Sequence, residues 1–123
     1  MKRMIYAALI AAAIALTASV QAKDVKTASS TVVGEVVDTG CYLAHGARGA
    51  ANADCGTKCV SQGMPMGVLT SQGALYLVTM SHDNPAPYNS LKALVGKDVS
   101  VTGTVHQRAG LKAIEISSST PTK

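Results

Sequence analysis

The chain has no tryptophan and no phenylalanine, and aromatic residues make up 3% of its 123 positions. A core must therefore be assembled from Val, Leu, Ile, Ala and Met, and such a core is thin for a small domain. The same shortage argues against nucleic acid. Proteins that hold single strands stack bases on aromatic side chains along a basic groove, and here the expected middle strands offer Tyr76 alone. The formal charge of +4 is no substitute, because Lys2 and Arg3 supply two of those charges from the extreme N-terminus.

Two further absences narrow the reading. The apolar run near the start, Ile5 to Leu16 with a small-residue extension to Val20, falls short of the roughly 20 residues of a membrane span. No charged stop-transfer cluster follows it. With Lys2-Arg3 before it and Val20-Gln21-Ala22 after it, the run reads as a signal peptide at positions 1–22, cleaved after Ala22. That places the mature protein in the periplasm or outside the cell, with no membrane attachment after cleavage. The redox motif Cys-x2-Cys is missing too. Nothing else assembles a nucleophile with a base, so the chain reads as non-enzymatic.

What the sequence does have is a concentration of chemistry between Asp38 and Gly67. All three cysteines lie there: Cys41 in Asp38-Thr39-Gly40-Cys41-Tyr42, and Cys55 and Cys59 in Asp54-Cys55-Gly56-Thr57-Lys58-Cys59. His45 and the pair Met64 and Met66 share the stretch. Asn52 as N-cap and Gly63 as C′ residue predict a short helix between them. Cysteines four apart on that helix share one face, turned toward whatever Cys41 brings from the end of the first strand. Parallel side chains on one helix rarely reach the roughly 90° dihedral of a disulfide.

In an oxidising compartment an odd cysteine needs an explanation, and two readings stand side by side. In one, Cys41 pairs with Cys55 or Cys59 and staples the long loop, a closure of about 15 residues worth on the order of 3 kcal/mol. The third thiol then stays free. In the other, Cys41, Cys55 and Cys59 hold a metal ion together with His45, His82 or a methionine, a set suited to Zn²⁺ or Cu(I). His45 is the leading histidine, four residues after Cys41. His106 reads as a solvated strand residue, and Met64 and Met66 read as packing. The function expected is a binding protein with a soft-metal or small-ligand site at these thiols. A disulfide-stapled module for a periplasmic protein partner is the alternative, and a thiol redox protein stands third.

The rest reads as β-rich scaffold. A polar arm at 23–30 precedes a β-branched strand, Thr31 to Asp38. Gly67–Thr70 and Leu75–Met80 form a hairpin around a Gly-containing turn. A short helix over Pro87–Val95 follows, with Leu91, Leu94 and Val95 at helical spacing. Val99, Val101, Gly103 and Val105 then alternate with polar residues, predicting a strand with one buried face. A last strand, Leu111–Ser117, precedes a frayed tail at 118–123.

Five strands, one helix between the third and fourth, and a long Cys-bearing loop between the first and second make the order of a small, mainly β, oligonucleotide/oligosaccharide-binding (OB) barrel. The chain also resembles small secreted bacterial proteins of unassigned function. The residues that carry the resemblance are Gly34-Glu35-Val36-Val37-Asp38 with Cys41-Tyr42, Cys55-x3-Cys59, Gly63-Met64-Pro65, Leu75-Tyr76-Leu77 and Leu94-Val95-Gly96-Lys97-Asp98-Val99. It spans about Thr31 to Ser117, implies an OB-like barrel at 31–117, and carries no activity with it. A monomer is expected.

Overall fold

The computed structural model describes residues 28–122; the signal peptide expected at 1–22 lies outside them. Among the described residues no helix is long and apolar enough to cross a membrane. The fold is mainly β: a five-stranded sheet with three α-helices. The strands are β1 (Ser29–Asp38), β2 (Met66–Leu69), β3 (Leu75–Met80), β4 (Asp98–Arg108) and β5 (Leu111–Pro121). The helices are α1 (Thr39–His45), α2 (Ala53–Ser61) and α3 (Ala86–Leu91).

The strands pair in the order β1-β2-β3-β5-β4, and β4 pairs back onto β1. Every contact is antiparallel except β3 with β5, where Val78 stands opposite Ile114. β1 serves two neighbours in succession. Its first part lies against β4, its last residues lie against β2, and Glu35 faces both Asp98 and Leu69. Inside the sheet, Val36, Met66, Val68, Leu91, Val95, Val99, Val101, Ile114 and Ile116 are buried with almost no exposure. Valine dominates this core, as a chain without large aromatics requires, and Tyr76 and Tyr88 pack against it from outside.

Val101 is fully buried and its neighbour Thr102 is half-buried, as the alternation predicts. Val105 departs from that pattern. It is exposed where β4 runs on past Thr104, the last β4 residue that pairs with β1. Both ends of the sheet are also longer than the sequence suggests. Ser29 and Ser30, expected in the arm at 23–30, pair with Thr104 and Gly103. Ser118 to Pro121, expected in the tail at 118–123, pair with Val99 to Thr102. Hydroxyl side chains suit the outer face of such strands, so their polarity hides the pairing. The helix expected at Pro87–Val95 is α3 followed by a 3-10 turn at Lys92–Leu94.

What interrupts the sheet is the excursion between β1 and β2. Its two ends are ladder partners, Asp38 opposite Met66. Thr39 binds the carbonyl of Pro65 twice, through its N–H at 3.0 Å and its hydroxyl at 2.8 Å. Both helices α1 and α2 are thus held on a neck clamped at its base.

Candidate metal centre

α1 is not expected from the sequence, which places Cys41 in the long loop after the first strand. The cause of the helix is local. Asp38 ends β1 and caps α1, its Oδ1 accepting from the N–H of Gly40 at 2.8 Å and of Cys41 at 3.3 Å. Eight residues after Asp38, Gly46 takes a left-handed conformation, and its N–H closes on the carbonyl of Tyr42 at 2.7 Å. A capping aspartate and a closing glycine define a two-turn helix too short to show periodicity.

α2 falls where Asn52 and Gly63 predict it, although the Asn52 side chain makes no capping bond. Its C-terminus is a Schellman closure: the Gly63 N–H donates to Val60 O at 3.2 Å and the Met64 N–H to Cys59 O at 3.0 Å. Gly63 supplies the positive φ of 106° that this closure needs.

Gly56 lets α2 lie close to the sheet. A methyl group there would stand 2.6 Å from Val95 Cγ1 and 3.5 Å from Asp38 Cβ. The turn between Cys55 and Cys59 therefore rests directly over Asp38.

These placements bring the three thiols together. The Sγ atoms of Cys41, Cys55 and Cys59 all lie within 4.8 Å of one another, Cys41 from α1 and the other two from one face of α2. Cys55 is exposed, and Cys41 and Cys59 are half-buried. No pair of them is joined, so the staple between Cys41 and Cys55 or Cys59 is not formed here. Three sulfurs around one Zn²⁺, with Zn–S near 2.3 Å, would sit roughly 3.8 Å apart. A small inward movement reaches that spacing.

Beneath the thiols lies Asp38, fully buried. Its Oδ1 is engaged by two amides, and its Oδ2 is buried with no hydrogen-bond partner. The carboxylate acts on the sulfurs nearest to it. The Cys41 thiol is pushed up to about 12, first by hydrogen bonding toward the Asp38 carboxylate, then by burial, then by the negative charge of Asp38 and of the other two sulfurs. Cys59 is raised as well, chiefly by burial and then by Asp38. The thiols approach Asp38 closely enough to feel it, yet no donor meets Oδ2 at full hydrogen-bond geometry. Of the two carboxylate oxygens only Oδ2 is left without a hydrogen-bond partner.

The remaining sequence candidates fall elsewhere. His45 stands at the far end of α1, exposed, and does not belong to the thiol group; His82 and His106 are exposed as well. Met66 is fully buried core. Met64 is partly exposed, and its Sδ packs over Gly40, 2.6 Å from where a Cβ would stand. The sequence reading passed over Asp38 and Gly56; an aspartate placed just before a Thr-Gly-Cys segment that ends in glycine is the signal for the first.

A second tie fixes the segment between α1 and α2. Glu35, a buried β1 residue, accepts from Arg48 Nε at 3.0 Å, from Arg48 Nη2 at 2.9 Å and from the N–H of Gly49. No family model, curated protein or solved structure matches the chain.

Proposed function

We propose that this is an exported, non-enzymatic binding protein that holds a soft metal ion, Zn²⁺ or Cu(I), at Cys41, Cys55 and Cys59. The observation that carries this reading is the convergence of three unpaired sulfurs within 4.8 Å, delivered by two helices. A thiol staple needs two cysteines and gives the third no reason to point inward. A metal ion uses all three, and thiolate sulfur is the donor that Zn²⁺ and Cu(I) favour.

The scaffold is best described as an OB-like barrel. The strand order, the parallel pairing of β3 with β5 and the position of α3 between β3 and β4 support that description. Export rests on the basic, apolar and small-residue succession of positions 1–22. N-terminal sequencing of secreted protein tests it, and a chain still beginning at Met1 would overturn it.

The metal reading is tested with Cys41→Ser, Cys55→Ser and Cys59→Ser, compared for melting temperature and for bound Zn and Cu by elemental analysis. Comparable loss of stoichiometric metal in all three supports it. Two variants that melt early, one silent variant and a metal-free wild type would replace it with a disulfide-stapled interaction module.

A further inference from the structure

Three thiolates leave open which ion the site is shaped for, because trigonal Cu(I) and a four-coordinate Zn²⁺ with one further donor both accept such a set. The fourth donor decides, and the region holds three candidates. His45 is exposed at the solvent end of α1 and outside the thiol group. Met64 has its sulfur already packed over Gly40. Asp38 too lies outside the group whose ligand atoms are all within 4.8 Å of one another, so the thiols must close onto it to share an ion. It differs from the other two in being fully buried, with α2 over it at Gly56 and Oδ2 without a hydrogen-bond partner.

We infer that Asp38 Oδ2 is the fourth ligand, and that the site is a Cys3Asp set shaped for four-coordinate Zn²⁺ rather than three-coordinate Cu(I). The inference rests on the three-thiol reading. Its physical basis is the cost of a buried carboxylate oxygen without a donor, which a cation at this point removes. The orientation is fixed beforehand. Oδ1 is held by the Gly40 and Cys41 amides, so the carboxylate has little freedom to turn. Such outer hydrogen bonds orient ligating carboxylates in metal sites generally. A carboxylate oxygen is a hard donor that suits Zn²⁺ and adds little for Cu(I), which favours sulfur.

Asp38→Asn and Asp38→Ser test the assignment, since both residues still cap a helix. Zn²⁺ and Cu(I) affinities are measured by chelator competition on the purified chain, and Co²⁺ replaces Zn²⁺ as a visible probe of coordination number. The expected result is a loss of Zn²⁺ affinity of at least about 10-fold in both variants, with Cu(I) affinity changed by less than about threefold. The tetrahedral Co²⁺ bands of wild type should change in both variants. Unchanged Zn²⁺ affinity and Co²⁺ bands, with the cysteine variants still losing metal, would overturn the role of Asp38 and leave the thiol site standing. A wild type that takes up neither ion would overturn both. If neither variant folds, zinc-edge X-ray absorption of wild type decides: three sulfurs with one oxygen carries the inference, and an all-sulfur shell overturns it.

Discussion

Arg48 is largely exposed, yet its Nε and Nη2 both reach Oε2 of Glu35, a carboxylate buried in β1. The pair straddles the boundary between sheet and excursion and pins the segment joining α1 to α2. Removing the exposed Arg48 side chain leaves the buried Glu35 carboxylate with the Gly49 N–H as its remaining donor. Arg48→Ala should therefore destabilise the domain by about 1–3 kcal/mol, measured by urea unfolding. Glu35→Gln, which keeps an acceptor for Gly49, should cost less than Glu35→Ala. Equal losses in the two Glu35 variants would show that the acceptor carries nothing.

Gly56→Ala should loosen the thiol group from a distance. The added methyl would stand 2.6 Å from Val95 Cγ1, and the buried Val95 side chain resists yielding, so α2 is pushed away from it. Overpacking of this kind costs about 1–3 kcal/mol. Metal affinity should fall with it, because Cys55 and Cys59 ride on the displaced helix while Cys41 does not. A variant with wild-type melting temperature and metal uptake would refute the close-approach argument.

The two positions Val101 and Thr102 separate the faces of β4. Val101→Asp places an unpaired carboxylate in the core at a cost of several kcal/mol, and should unfold the domain. Thr102→Asp should be mild, at the loss of one hydroxyl contact with Thr31 at 3.2 Å. Thermal melts of the pair check the register directly.

The raised thiols set the pH dependence of both metal binding and stability. Metal must displace protons from Cys41 and Cys59, so affinity should climb with pH through the neutral range, with protons released on binding. Calorimetry in buffers of different ionisation enthalpy counts those protons. For the metal-free protein the sign follows from linkage. The folded Cys41 thiol ionises near 12 and an ordinary thiol at 9.0, so above 9.0 the unfolded chain sheds this proton first. The contribution is intact below 9.0 and is lost as pH rises toward about 12. The alkaline decline of stability should be shallower in Cys41→Ser than in wild type.

How far the sequence carried this picture depended on periodicity. β4 announced itself through Val99 and Val101, and α2 through Asn52 and Gly63. Ser29, Ser30 and Ser118 to Thr120 were illegible as strand because hydroxyl residues on an outer face look like an arm or a tail. α1 was illegible for another reason: seven residues with glycine near each end show no stripe, and its cause lies in one side chain, Asp38. The meeting of Cys41 with Cys55 and Cys59 needed both helices and the clamp at Thr39 and Pro65. His45 shows the opposite failure, since sequence proximity to Cys41 did not bring it into the thiol group.

The closed circuit of strand pairings has a consequence for how the molecule meets its own copies. An open sheet presents unpaired N–H and C=O groups that recruit further strands and seed aggregation. Here each strand already has a neighbour on both sides, so that templating route is shut for the paired stretches. The exposed thiol of Cys55 is one group that remains free to join one copy to another. A covalent dimer through the exposed Cys55, formed under oxidation and dissolved by reductant, is the form in which self-association should be sought, and a bound metal ion would suppress it.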